Sequence, residues 1–360
     1  MDDALMKKLV PLRERIDELD ARILELLTER ARTALQVGEA KQHVQGPVFR
    51  PEREAQVIRR LQQLNGGPLP ASSVAAIWAE IMSACRALEQ PARVAYLGPE
   101  GTYSEQAALE HFGHAIEPQP CASFDDVVRA VETGRADFGM VAVENSNEGA
   151  VNRTLDLLLT ASVKVLGERS IDIRHCLMTR SGTLEGVTRV LAHPQALAQC
   201  RGWLTANHPG LACEPAASNA EAARLAAQDP SLAAIAGEQA ARHWKLGIVA
   251  AGIQDDPHNR TRFLAIGQTD PGRSGRDKTS LILAVPNRAG AVYRMLAPLA
   301  ENNVSMTRLE SRPARTGEWE YYFYVDVEGH REDPNVAAAL AALQQQAAFF
   351  KVLGSYPRCP

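Results

Sequence analysis

Several of the features that most readily announce a protein's chemistry are missing from this chain. Its six cysteines (Cys85, Cys121, Cys176, Cys200, Cys213 and Cys359) form no CxxC pair, and no histidine stands at metal-ligand spacing from them. That leaves no basis for a disulfide framework or a metal site, and free thiols in a reducing compartment are expected. Positive charge is not in excess: 39 Lys and Arg stand against 43 Asp and Glu, a net charge of −4. The first 92 residues balance 13 against 13, so no basic arm for nucleic acid lies there. No stretch approaches the roughly 18 apolar residues that a membrane span needs. The opening "MDDALMKKLVPLRERIDELD" is charged where a secretory leader would be apolar, so a cytoplasmic location is expected. Neither GxGxxG nor a GxxxxGKS or GxxxxGKT loop occurs, which argues against a dinucleotide or nucleoside triphosphate site.

What is present organises the chain into three parts. A hydrophobic content of 45% over 360 residues is ample for two or three packed cores. From Leu5 to Val44, apolar residues recur in steps of three and four through Leu9, Leu12, Ile16, Leu19, Ile23 and Leu26. This predicts a long helix with a heptad-like seam that needs a partner. Pro47 and Pro51 break it, a second helix follows to about Leu64, and Ser72 or Ser73 is the expected cap of a third. Beyond Gln90-Pro91-Ala92, the runs "RVAYLG", "FGMVAV", "CLMTR", "VTRVLAH", "AAIAG" and "RFLAIG" alternate with Ala-rich stretches, as buried strands alternate with helices. After the linker "TDPGRSGRDK" the order reads strand, helix, strand, strand, helix, strand, a ferredoxin-like βαββαβ unit. The reading is therefore an all-α domain at 1–92, an α/β domain at 93–270 and a βαββαβ domain at 278–360.

Charges interrupt the first seam. Arg30 lies seven residues after Ile23 and seven before Val37, where the pattern calls for an apolar side chain. Snorkelling explains one such cation. Lys41, eleven residues on, returns to nearly the same face, and two cations facing one space call for anions. Arg13 shares the side but stands about 25 Å from Arg30 along the axis, so any site it serves is completed by another chain. In the α/β part, "GPEGTYS" puts Thr102 and Ser104 at a helix start, and "VENSNEGAV" puts Asn145 and Ser146 after a strand. Either alone is ordinary capping; either also suits a carboxylate. "HNRTRFLAIG" sets Asn259, Thr261 and Arg262 before an apolar run, leaving a solvated turn or a small-anion pocket once the charge count removes nucleic acid.

"LRERIDELDARILELLTERARTALQVGEAK" resembles the first helix of the all-helical chorismate mutases, which form intertwined dimers. The resemblance implies a site at Arg13 (contributed across the dimer), Arg30, Lys41, Arg53, Glu54 and the end of the third helix. Cys85 and Glu89 align there where relatives often carry Ser and Gln, and Arg50 stands where some carry Asp. The rearrangement of chorismate needs no nucleophile or proton transfer, only a compact conformer and stabilisation of charge on the ether oxygen. Arg forks suit the two carboxylates and Lys41 the ether oxygen. An ionised Glu89 would repel that charge whereas a protonated one donates a hydrogen bond, so mutase turnover is expected to favour mildly acidic pH.

"GPEGTYS", "VENSNEGAV", "HPQALAQC" and "NRTRF", in that order, resemble the prephenate dehydratases. This implies two α/β lobes like a periplasmic-type binding fold, with a cleft where prephenate loses water and carbon dioxide without metal or cofactor. The resemblance makes Thr261 the essential hydroxyl, with Glu144, Asn145 and Gln199 in support. Thr102, Ser104, Ser146, Asn259, Arg262 and Phe263 complete the expected substrate contacts, Arg262 being alternatively structural and Phe263 core or wall. Ala192 replaces a commoner Ser before "HPQ", and His193 reads as a turn residue. The last part resembles an ACT regulatory domain through Gly290-Ala291-Val292-Tyr293 and Glu310-Ser311-Arg312-Pro313, which implies L-phenylalanine bound between paired domains as feedback inhibitor. Together these imply a multidomain, even-numbered homo-oligomeric enzyme that converts chorismate through prephenate to phenylpyruvate, with no nucleic-acid or membrane partner. The alternative is a catalytically silent sensor that binds amino acids or dicarboxylates. A fusion to a dehydrogenase would need the dinucleotide fingerprint that is missing.

Overall fold

The computed structural model describes residues 3–41, 49–285, 288–314 and 321–359, with side chains from residue 5 onward and to residue 40 in the first stretch. Helix α1 (Asp3–Lys41) is 39 residues long, about 58 Å at 1.5 Å per residue. Its seam residues Leu12, Ile16, Leu19, Ile23 and Leu26 are exposed in the single chain. Helices α2 (Pro51–Leu64) and α3 (Ala71–Ala87) complete the all-α part. Proline at the start of α2 and Glu52 and Glu54 in its first turn suit the free amides and positive end of a helix. The expected serine cap of α3 is corrected: Pro70 occupies the cap position, and Ser73 N and Val74 N both donate to its carbonyl. The fixed φ of proline starts the helix earlier than the hydroxyls would.

The α/β part has two lobes. The first runs β1 (Arg93–Leu97), α4 (Tyr103–Phe112), β2 (Glu117–Cys121), α5 (Phe124–Glu132), β3 (Phe138–Asn145), β4 (Gly149–Ala150), α6 (Asn152–Thr160) and β5 (Lys164–Asp172). The second runs β6 (Cys176–Thr179), β7 (Arg189–Ala192), α7 (Pro194–Gln199), α8 (Arg201–Asn207), β8 (Ala212–Pro215), α9 (Asn219–Gln228), β9 (Leu232–Ala236), α10 (Glu238–Trp244) and β10 (Gly247–Ala251). The chain then returns to the first lobe as β11 (Arg260–Gly267), which inserts antiparallel between β3 and β5. The sheet orders are β2-β1-β3-β11-β5 and β10-β6-β9-β7-β8. Two crossings, 173–175 and 252–259, therefore join the lobes.

The C-terminal part runs β12 (Asp277–Ala284), α11 (Ala291–Glu301), β13 (Met306–Pro313), β14 (Tyr321–Glu328), α12 (Pro334–Gln346) and β15 (Phe349–Pro357), with sheet order β13-β14-β12-β15. This is the βαββαβ arrangement read from the sequence, and it is not a separate bead. Ile282, Tyr324, Leu353 and Tyr356 share one apolar core with Val165, Leu264 and Ile266 of the first lobe. Gly354 lies so close to β5 that a Cβ would stand 2.2 Å from the Val165 carbonyl oxygen, so only glycine fits. Lys351 Nζ donates to the carbonyls of Leu158, Leu159 and Ala161 and so closes the C-terminal end of α6.

The all-α part docks through aromatic packing. Phe49 is buried with its ring centroid 5.1 Å from Phe112 and 5.2 Å from Phe138. His111 joins them, and its Cε1 would stand 2.5 Å from a Cβ at Gly167. Its buried Nε2 has no hydrogen-bond partner among the described residues. Burial, with Arg169 and Arg86 nearby, pushes the ring down to about 3, so it stays neutral in the fold. The unfolded chain takes up that proton below its ordinary value of about 6.5, so stability falls as pH drops from there toward 3. The expected contribution is about 1.4 kcal/mol per pH unit. Urea unfolding of His111→Phe between pH 6.5 and 4 should show a shallower loss than the parent; equal slopes would contradict the assignment.

Candidate functional site

At the crossings between the lobes the side chains form a continuous polar chain. Asn145, at the end of β3, donates from Nδ2 to Thr261 Oγ1 at 2.8 Å and to Asn259 Oδ1 at 2.9 Å. Its Oδ1 accepts from the backbone N–H groups of Asn147 and Glu148. Those two amides can only donate, so the orientation of the Asn145 amide is fixed, with Nδ2 toward Thr261. Directions then propagate. Asn259, buried, donates from Nδ2 to Gln199 Oε1 at 3.2 Å, and His175 Nε2 meets the same oxygen at 2.9 Å. With Nε2 protonated and the ring neutral, His175 Nδ1 is an acceptor 3.2 Å from the Tyr103 hydroxyl, whose single proton it shares with the Arg174 carbonyl at 2.8 Å.

Burial lowers the His175 pKa against the hydrogen bond it donates to Gln199 and keeps the ring neutral, as this tautomer requires. Burial likewise pushes the Tyr103 phenol well up, so it stays a donor. The consequence at the far end is specific. Thr261 Oγ1 accepts from Asn145, which leaves its own proton available to another group. The chain spans both lobes, with Gln199 on the second and Asn145, Thr261 and Tyr103 on the first.

Other residues singled out by sequence take different places. Ser146 is exposed and exchanges hydrogen bonds with Arg260, its Oγ accepting from Arg260 N at 2.9 Å. Thr102 caps α4 by accepting from Glu105 N, and its hydroxyl donates to the Leu97 carbonyl. Ser104 is buried, and the Glu105 carboxylate takes the Gly101 N–H at 2.6 Å, so the α4 start already holds an anion. His193 caps α7. Phe263 is in the core with Phe49 and Phe112. Arg262 and Glu144 lie apart from the Thr261 group. Arg262 pairs with Asp326 of β14 at 2.6 Å and with Glu168 at 2.7 Å, and reaches the Tyr356 hydroxyl. Burial disfavours its charge, but Asp326 and Glu168 more than restore it. Lys278 also holds Glu168, at 2.7 Å, and Glu144 pairs with Arg308 of β13 at 3.1 Å.

In the all-α part, Arg30 Nη1 donates to Cys85 Sγ at 3.0 Å. Glu54 pairs with Arg86, and burial raises its pKa against the pull of Arg86 and Arg30. The Glu89 carboxylate lies over the bare Cα of Gly38 on α1, where a Cβ would stand 2.4 Å from its Cδ. Arg50 pairs with Glu52 at 2.8 Å, and Arg53 and Arg13 are exposed. The Lys41 side chain lies outside the described residues. In the C-terminal part Gly290 starts α11 with φ +75°, a left-handed position that favours glycine, and Ala291 follows it half-buried. Val292 and Tyr293 are exposed. Glu310, Ser311, Arg312 and Pro313 end β13, an outer strand of its sheet, and Arg312 pairs with Asp156 of α6 at 2.9 Å.

Sequence reasoning missed His175, Tyr103 and Arg86. A single histidine before a strand carries no spacing signal, and Tyr103 sits inside a quoted motif without standing out from it. Arg86 had a signal: it falls four residues after the buried Met82 on α3, a cation on an apolar stripe like Arg30.

Comparison with known proteins agrees with this geometry. The chain matches the prephenate dehydratase family over residues 94–271, chorismate mutase type II over 12–90 and the ACT domain over 279–345. It is 49% identical to the bifunctional chorismate mutase/prephenate dehydratase of Neisseria gonorrhoeae, over 99% of each chain. Among solved structures, a prephenate dehydratase from Arthrobacter aurescens in complex with L-Phe is similar with TM-score 0.68 and 34% identity, covering 74% of this chain and 90% of that one. A protein described as a novel type of quorum-quenching acylase is similar with TM-score 0.69 and 34% identity, covering 74% of this chain and 98% of that one. Fold likeness alone therefore does not fix the reaction, whereas full-length identity that includes the helical part does fix the family. The chain belongs to the bifunctional chorismate mutase/prephenate dehydratases.

Proposed function

We propose that residues 1–92 rearrange chorismate to prephenate, that residues 93–270 convert prephenate to phenylpyruvate at Thr261, and that residues 278–360 bind L-phenylalanine to restrain the second step. The observation that carries the dehydratase assignment is the fixed direction of the Asn145 amide, which turns the Thr261 proton outward. Loss of the ring carboxylate as carbon dioxide supplies the electron pair that makes the ring aromatic. The ring hydroxyl then departs as water, and Thr261 donates as that oxygen becomes basic. A free hydroxyl is a poor acid, so its effect depends on alignment within the network. Gln199, Asn259, His175 and Tyr103 hold that alignment from both lobes, and the exposed Ser146, bonded to Arg260, stands beside it.

In the mutase, Arg30, Arg53 and Lys41 receive the two carboxylates and the ether oxygen, and Cys85 positions Arg30. Glu54, an acid in a site for a dicarboxylate, faces the hydroxyl of chorismate. The exposed apolar seam of α1 calls for a second copy of this chain, and Arg13 then reaches the partner's site, giving a homodimer or a higher even-numbered assembly. The outer strand β13, on which Leu309 is exposed, and the exposed Val292 and Tyr293 at the start of α11 suit a paired ACT domain with the effector between. Binding there and at the dehydratase requires two states that the effector distinguishes. Glu168, Asp326 and Arg262 lie between the two parts.

Purified protein given chorismate should consume it and release phenylpyruvate. Thr261→Ala should keep chorismate consumption and lose phenylpyruvate formation by about a hundredfold or more; retained dehydratase turnover would remove Thr261 from the chemistry.

A further inference from the structure

Arg86 is a buried cation that neither reaction requires at first sight. It stands on α3, 8% exposed, with Nη1 on the Glu54 carboxylate of α2 and Nη2 donating to the Phe112 carbonyl at 2.5 Å. Its guanidinium carbon lies 4.8 Å above the Phe49 ring. Phe112 ends α4, so the anchor of Arg86 is a backbone oxygen of the dehydratase part, and Phe49 packs into the same dehydratase core. Three directions of the planar fork are thus used: carboxylate, carbonyl and ring face.

Resting on the mutase reading above, we infer that Arg86 is a positioning residue for chorismate rearrangement, holding the Glu54 carboxylate in place from an anchor in the dehydratase domain. Among the described residues, the charged groups facing Glu54 are Arg86 from α3, Arg30 from α1 and Glu52 from its own helix. Arg86 is the one in contact, and burial without it favours the protonated acid. A protonated Glu54 is a different partner for the substrate hydroxyl, so the mutase loses its preferred form as pH falls. Glu54 therefore sets the acid limb of the mutase profile. The docking of the two domains becomes part of the mutase site.

The test uses the full chain and four variants: Arg86→Met, Arg86→Lys, Glu54→Gln and the Arg86→Met/Glu54→Gln pair. Mutase kcat and KM are measured against pH, and dehydratase rates are measured with added prephenate. Arg86→Met should move the acid limb of mutase kcat/KM up by about one pH unit, a tenfold loss below the limb. Arg86→Lys should fall between, Glu54→Gln should lack the limb, and Arg86→Met should cost little more in the Glu54→Gln background. Dehydratase turnover should stay within about twofold, since Arg86 reaches that domain only through one carbonyl. A limb at the parental pH in Arg86→Met, an equal loss in the Glu54→Gln background, or a parallel loss of dehydratase activity would each overturn the inference. Full mutase activity in Glu54→Gln alone would instead overturn the mutase-site reading on which it rests.

Discussion

Neighbouring residues on a strand point to opposite faces, and β11 sets that constraint between Thr261 and Arg262. Phe263 and Ala265 continue the Thr261 face into the core of the first lobe, while Leu264 and Ile266 continue the Arg262 face into the core shared with the ACT part. One strand thus carries the proposed acid on one side and the ion pairs to the ACT sheet on the other. Because β11 is the returning strand, inserted between β3 and β5 after the second lobe is complete, it also brings Thr261 beside Asn145 and Asn259 beside Gln199. The two-lobed topology is what lets residues more than a hundred positions apart form one hydrogen-bonded chain.

That chain gains its direction from backbone rather than from any acid. Two amide donors orient Asn145, and each later partner has one remaining role as far as His175, whose Nε2 must donate. Low local polarity makes such a network costly to leave incomplete and rigid once complete. The opposite face obeys a different rule. There Arg262, Lys278, Glu168 and Asp326 neutralise one another in a buried cluster, so a shift of the ACT sheet relative to β11 would separate charges that have little water to receive them. The all-α part is tied by a third device, aromatic packing with one guanidinium across it.

How much of this was legible in the sequence depends on periodicity. The α1 seam, the buried strands β1, β3 and β11 and the βαββαβ order were readable because their apolar spacing is regular. Strand β2 was not: Pro118 and Pro120 remove donors, and the strand survives only as a sheet edge beside β1. Strand β5 was hidden by Glu168, whose partners Arg262 and Lys278 come from elsewhere in the fold. The Thr261, Asn145, Asn259 and Gln199 group came from motifs whose members the structure does bring together. Glu144 and Arg262, the latter read alternatively as structural, lie apart from them, and the period of two along β11 separates Arg262 from Thr261. His175 and Tyr103 could be found only once the lobes were assembled, because their roles lie in partners distant in sequence.

The central claim is that the Asn145 amide sets the direction of the Thr261 proton. The most direct measurement is dehydratase kcat on prephenate for Asn145→Asp, with mutase turnover of the same preparation as control. Aspartate keeps the size and the contacts to the Asn147 and Glu148 amides but offers Thr261 an acceptor in place of a donor, turning its proton away from the substrate. The account predicts a loss of about a hundredfold in dehydratase kcat with mutase turnover unchanged. A dehydratase rate within about twofold of the parent would contradict it.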